Sequence, residues 1–188
     1  MNKSYIEVKT LEIAGMSAVV KALHLPFGKE CKSETSAFAH INIEGIFETF
    51  TKTNLDPKDE SLITRLIKAG DEHAKVIRGL IVWAEIEAPR YWWVEMDTYR
   101  IGAERLSSES TMHIQGKDLS TEELVAMKEK LEEGTRQKRV EYFSYQTLRR
   151  IYFQRRHHRL PHWHKFCEWI ESLPYAEQFI TVDRARYE

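Results

Sequence analysis

Cysteine is nearly missing from this chain. Two occur in 188 residues, Cys31 and Cys167, far apart and in neither metal-binding nor redox spacing. That excludes a disulfide framework and fits a reducing cytoplasm. Long apolar runs are missing as well. The longest, around Leu80–Ala84, falls far short of the roughly 20 residues a bilayer-spanning helix needs, so no membrane insertion is expected. The opening stretch MNKSYIEVKT lacks the apolar core of a signal peptide, so secretion is not expected either. Nor is there a surplus of one charge. Lys and Arg number 28 against 29 Asp and Glu, a net −1, which leaves no global basic field for a nucleic-acid backbone, and no recognition helix or finger is evident. Repeats, low-complexity tracts and linker-like segments do not occur.

What is present reads as a helix-rich α+β protein, residues 1–188 forming a single domain with a small antiparallel or mixed sheet. Tyr5–Ile13 alternates apolar and polar side chains as a strand does, and Gly15 breaks it. Met16–Leu25 suits a short helix stopped by Pro26. Lys29–Ser36 reads as loop, and His40–Phe50 is ambiguous between strand and helix. Asp56-Pro57-Lys58-Asp59-Glu60 combines a cap, a proline at the first helical position and first-turn acids, so a helix is expected to about Gly70. Val76–Glu87 reads as a buried strand. PRYWWVEMDTYR, from Pro89, reads as a helix, followed by AERLSSEST as polar loop. Ser120 with Glu123 forms a capping box for a helix to about Gly134. Tyr142, Tyr145, Leu148, Ile151 and Tyr152 continue at helical spacing, and Pro161 starts a helix with Trp163, Phe166, Ile170 and Leu173 on one face.

Two stretches carry chemistry. QRRHHRLPHWH, residues 154–164, holds three arginines and four histidines, and Arg149 and Arg150 lie just before it. His158 and His162 are four apart, but Pro161 interrupts the helix that would aim both at one ion, and no nearby cysteine or acid before Glu168 completes a set, so no metal is expected. Cations closing a helix C-terminus explain some of these residues. Five guanidiniums without matching acids repel one another unless a carboxylate or a phosphate neutralises them, which points to a small phosphate-bearing ligand. The second stretch is the Pro89–Arg100 helix, where Glu95, Asp97 and Arg100 sit among Tyr91, Trp92, Trp93, Met96 and Tyr99. It reads either as a core helix with an internal pair such as Asp97–Arg100, or as a site wall whose aromatics flank a planar ring. A third reading makes Trp92, Trp93 and Trp163 an exposed patch that docks a protein. Ser107, Ser108, Ser110 and Thr111 follow with hydroxyls and amides for an anion.

The order of these features resembles the flavin-dependent thymidylate synthases. Glu72-His73 is followed by an apolar strand ending Glu85-Ile86-Glu87, an aromatic helix, Arg100 and a serine-rich loop, over roughly residues 73–159. APRYWW, STMH and IYFQRRHHRL are also similar to a set of uncharacterised phage and prophage proteins. The enzyme resemblance implies that family's fold, a homotetramer with sites between subunits, bound FAD, methylenetetrahydrofolate as carbon donor, and methylation of dUMP or a related pyrimidine nucleotide. It places His73, Tyr99 and Arg100 at the cofactor, and Glu95, Ser108, Ser110, Arg155, Arg156 and Arg159 at the nucleotide. The phage resemblance implies the cytoplasm of an infected or lysogenic bacterium. It also allows a non-catalytic protein that sequesters a nucleotide, for example an immune signalling nucleotide of the host. The family's Arg-His-Arg is here Thr98-Tyr99-Arg100, and its Ser-x-Arg-Tyr is Ser110-Thr111-Met112-His113. No catalytic residue is assigned.

Overall fold

The computed structural model describes residues 5–28 and 55–183. The expected loop Lys29–Ser36 and the ambiguous stretch His40–Phe50 lie outside them.

Strand β1 (Glu7–Ala14) leads through Gly15 into α1 (Met16–His24) and a 3-10 turn, Leu25–Phe27. Met16, Val19, Val20 and Leu23 are buried on one face of α1, the spacing of an amphipathic helix. Helix α2 (Pro57–Ala69) starts as its sequence dictates, with the Asp56 side chain accepting from the Lys58 amide at 2.8 Å. A buried Asp59 on α2 meets His24 of α1 at 2.8 Å and ties the two helices together.

The Val76–Glu87 segment divides. Ala74–Gly79 is a 3-10 helix, and β2 (Ile81–Pro89) begins only afterwards. Val82, Ala84, Ile86 and Ala88 of β2 face the core. Helix α3 (Arg90–Met96) follows, then β3 (Ala103–Ser108), the short α4 (Thr111–Ile114) and α5 (Thr121–Glu129). The capping box of α5 forms in both directions, but the helix stops at Glu129, short of Gly134. Strand β4 (Arg136–Ser144), α6 (Tyr145–Arg155), α7 (Pro161–Glu171) and α8 (Ala176–Phe179) complete the described chain. The four strands form one antiparallel sheet in the order β1-β2-β4-β3.

Two sequence expectations are corrected here. AERLSSEST is strand rather than loop over Ala103–Ser108, an edge strand almost wholly exposed, so burial imposes no apolar alternation on it. Tyr142 belongs to β4, not to a helix. The inward positions of β4 are Arg139, Glu141 and Phe143, and the two charges erase the apolar rhythm by which a strand is read.

The core lies between the sheet and the helices. Trp92, Trp93, Trp163, Phe143 and Phe166 are all 0–1% exposed, with Trp92 4.8 Å from Trp163 and 5.6 Å from Phe166 between ring centres. An exposed tryptophan patch for docking a protein is thereby overturned: Trp92, Trp93 and Trp163 are core residues.

Arg139 and Glu141 are accommodated locally. The Arg139 guanidinium lies 4.2 Å from the Trp93 ring centre, meets Asp97 at 2.7 Å and Glu141 at 3.7 Å. The cationic partner of Asp97 is therefore Arg139. Arg100 reaches only the Asp97 backbone carbonyl, at 3.4 Å. Burial pushes the Glu141 carboxyl up to about 7, against the pull of Arg139.

Two measurements follow from this architecture. Gly15 has φ 105°, and a Cβ there would stand 1.8 Å from the Gly79 carbonyl oxygen, whereas a Cβ at Gly134 meets nothing. Gly15→Ala is expected to lower unfolding free energy in urea by more than about 1 kcal/mol, and Gly134→Ala to change it by less than about 1 kcal/mol. The folded protein holds the Glu141 proton to about pH 7, while the unfolded chain releases it near 4.5. The native state therefore binds more protons between those values. This group's contribution to stability falls as pH rises through that window, at up to about 1.4 kcal/mol per pH unit. Glu141→Gln should remove that slope in urea titrations at successive pH values, and an unchanged slope would refute the assignment.

Candidate functional site

Helix α6 reads YQTLRRIYFQR and begins at Ser144, whose hydroxyl accepts from the Thr147 amide at 3.2 Å. Tyr145, Leu148 and Ile151 anchor it in the core. Gln146, Arg150 and Gln154 recur at four-residue spacing and share another face, with Phe153 beside them. That face is one wall of a cavity of about 1140 Å³, at the upper end for small-molecule sites. Arg78 from the 3-10 helix, Ile81 at the start of β2, the Ile101–Gly102 turn, Tyr142 of β4 and Asp183 beyond α8 close the other sides.

Gly102 makes the turn possible. Its φ is 72°, and a Cβ there would fall 2.5 Å from Thr147 Oγ1 and 2.7 Å from Ser144 Oγ. Thr147 Oγ1 in turn donates to the Ile101 carbonyl at 2.7 Å, which seats the turn against the start of α6.

Four guanidiniums and two carboxylates, Asp71 and Asp183, line this space. Arg149 is buried and structural, donating to the Ile180 carbonyl at 2.6 Å and to that of Val182, with its guanidinium 4.7 Å from the Phe153 ring centre. Arg78 is oriented by Gln146, whose side-chain oxygen accepts from its Nε and whose amide donates to the Asp71 carbonyl at 3.3 Å. Arg150 approaches the Ile101 carbonyl at 3.4 Å and lies 5.7 Å from the Tyr99 ring centre. Arg156 lies against the Phe153 and Tyr152 rings, at 4.8 and 5.8 Å, and its Nε is buried without a hydrogen-bond partner. Among the described residues, neither Arg150 nor Arg156 is within ion-pair distance of a carboxylate. The cavity thus presents unneutralised donors beside an aromatic wall, an arrangement that suits an anion carrying a flat ring.

The other residues singled out in the sequence are placed as follows. Glu95 and Arg155 meet each other at 2.7 Å, and the Glu95 carboxylate also accepts from Trp163 Nε1 at 2.9 Å and lies 3.5 Å from His158. Arg155 Nε donates to the Tyr99 hydroxyl at 2.7 Å, and Tyr99 donates to Gln154 Oε1 at 2.9 Å. Glu95, Tyr99 and Arg155 therefore stand together behind the wall that Gln154 faces. Arg100 is exposed and immediately precedes Ile101 of the cavity. His73 is exposed, 3.6 Å from Glu72. Ser108 is exposed at the end of β3, Ser110 precedes α4, and Arg159 is exposed between α6 and α7; none of the three lines the cavity.

The histidines divide by role. His158 Nδ1 accepts from the Leu160 amide at 3.2 Å, and His164 Nε2 donates to the His158 carbonyl at 2.6 Å, so these two shape the turn between α6 and α7. His162 is buried beside Tyr91, 2.8 Å from its hydroxyl, and burial, assisted by Arg136, holds its pKa below the usual histidine value. Among the described residues no cluster of His, Cys, Asp or Glu is arranged to hold a metal ion, and no helix is long and apolar enough to cross a membrane.

Sequence reasoning passed over Arg78, Gln146, Phe153 and Gln154 as site residues. The i, i+4 recurrence of Gln146, Arg150 and Gln154 was a usable signal, whereas Arg78 reaches the site only through the tertiary fold.

No protein-family model and no curated protein matches the chain. Solved structures do. A flavin-dependent thymidylate synthase, ThyX, from Helicobacter pylori complexed with FAD and dUMP superposes with a TM-score of 0.67 at 14% identity, covering 96% of this chain and 100% of that one. A second structure of thymidylate synthase X from Helicobacter pylori, with FAD and dUMP, gives 0.65 at 14% identity, covering 94% and 97%. A UMP/dUMP methylase, PolB, from Streptomyces cacaoi bound with 5-Br dUMP gives 0.60 at 13% identity, covering 93% and 92%. The helix-rich α+β architecture with its small antiparallel sheet is the fold of these proteins.

Proposed function

We propose that this chain binds a nucleotide, with a phosphate on Arg150 and Arg156 and its base against Phe153 and Tyr142. The observation that carries this is the cavity itself, where two guanidiniums face one space without a carboxylate partner among the described residues. The fold adds support, because structures that share it hold dUMP, 5-Br dUMP and FAD.

The finer reading is FAD-dependent methylation of dUMP or a related pyrimidine nucleotide, with methylenetetrahydrofolate as carbon donor. The cavity's volume and its arginines are compatible with a second phosphate-bearing ring system, and bound flavin, once reduced by an external two-electron donor, would supply the hydride. In this reading His73, Tyr99 and Arg100 serve the cofactor side. Arg155 and Glu95 act on the nucleotide from behind the wall, and Arg156 acts directly. Ser108, Ser110 and Arg159, which stand outside the cavity, serve a neighbouring copy's site in a self-associated, tetrameric form.

A second reading is that the chain holds a nucleotide without transforming it, as a phage protein sequestering a signalling nucleotide in a bacterial cytoplasm would. It is favoured by Thr98 and Tyr99 in place of arginine and histidine, and by the engagement of the Tyr99 hydroxyl within the protein.

A thermal-shift panel of nucleoside monophosphates, cyclic dinucleotides and FAD tests the proposal. A ligand at a hundred times its Kd should stabilise the fold by about 2.7 kcal/mol. Arg150→Ala and Arg156→Ala should each weaken binding about tenfold or more, as loss of a charge-assisted hydrogen bond does. Absence of a shift across the whole panel would overturn nucleotide binding. Flavin absorbance in the purified protein, or gained on adding FAD, separates the enzymatic reading from the sequestering one.

A further inference from the structure

The hydrogen-bond chain behind the cavity has a fixed direction. Arg155 is held by Glu95 at 2.7 Å and can only donate, so the Tyr99 hydroxyl must accept from it, as the 2.7 Å contact requires. The single proton of Tyr99 then goes to Gln154, 2.9 Å away, which must offer its side-chain oxygen. With the amide turned round, the Tyr99 proton would lose that acceptor inside a residue only 7% exposed. The Gln154 NH2 is therefore turned away from Tyr99. It has no partner among the described residues, and Gln154 lines the cavity.

The other neutral polar side chains that α6 presents to the cavity are already engaged. Thr147 is bonded to the Ile101 carbonyl, and both ends of Gln146 are occupied by Arg78 and Asp71. Gln154 is thus a neutral donor of defined orientation on the same helix face as Arg150. A ring keto oxygen can accept from such a donor, and a ring amino group in the same place cannot.

We propose that Gln154 is a specificity-determining residue, selecting a pyrimidine nucleotide whose base presents a keto oxygen at the ring position where cytosine carries its amino group, and that Glu95, Arg155 and Tyr99 are positioning residues that set its amide. This rests on the nucleotide reading of the cavity. A site built to donate to one group rejects an analogue that offers another donor, because both are left unpaired.

Dissociation constants for dUMP and dCMP, which differ by keto against amino at ring position 4 and by the proton on the adjoining N3, test this by calorimetry on the wild type, Gln154→Met and Tyr99→Phe. The wild type should favour dUMP by about tenfold or more. Gln154→Met should lose about tenfold for dUMP while dCMP stays within about threefold. Tyr99→Phe frees the amide to rotate, so the preference should fall below about threefold while dUMP itself still binds. Because Gln154 is exposed, its variant remains informative should Tyr99→Phe fold poorly. Equal wild-type affinity for the two ligands, or a wild-type preference retained by the variants, would overturn the Gln154 assignment and leave nucleotide binding standing. Wild-type protein that binds neither overturns both.

Discussion

One carboxylate holds the helical layer together. Glu95 on α3 receives Arg155 from α6 and Trp163 from α7, and His158 from the turn between them lies 3.5 Å away. A half-buried carboxylate surrounded by aromatic rings is tolerable only with such donors around it. With them, it fixes how three helices approach one another. The tryptophan cluster beneath depends on that approach, since Trp92 and Trp163 come from two of the joined helices. So does the Tyr99–Gln154 arm that reaches the cavity.

Wherever a segment carried a chemically complete signal, the sequence could be read directly. Asp56-Pro57 and the Ser120/Glu123 box each declared a helix start because the side chains that close the first turn are local. Pro161 did the same for α7. Reading failed where tertiary contacts decide. Strand β4 hides because Arg139 and Glu141 point inward, Arg139 being balanced by Trp93 and Asp97 from a distant helix and Glu141 by Arg139. Strand β3 hides because nothing packs against most of it. For the site, composition showed that the arginine surplus had to be neutralised somehow, but not which arginines were already satisfied. Arg155 finds an acid 60 residues away, and Arg149 finds carbonyls more than 30 residues away. Arg150 and Arg156 find no carboxylate within ion-pair distance among the described residues.

Identities of 13–14% to proteins of the same fold mean that the layers persist while most side chains differ. Function is then decided by the side chains of the site rather than by the architecture. In this chain the segment that ends α3 is drawn into the protein's own hydrogen-bond network, with Asp97 on Arg139 and Tyr99 between Arg155 and Gln154. Groups so engaged shape a pocket indirectly, through the residues they orient.

The clasp of Arg149 on the Ile180 and Val182 carbonyls has a mechanical corollary. The strand of chain leaving α8 is bolted to the same helix that forms the cavity wall, and Asp183 beyond it is itself part of the lining. Filling the pocket and fastening that trailing segment are therefore coupled events. Loosening the clasp would withdraw Asp183 from the lining and unseal one side of the pocket.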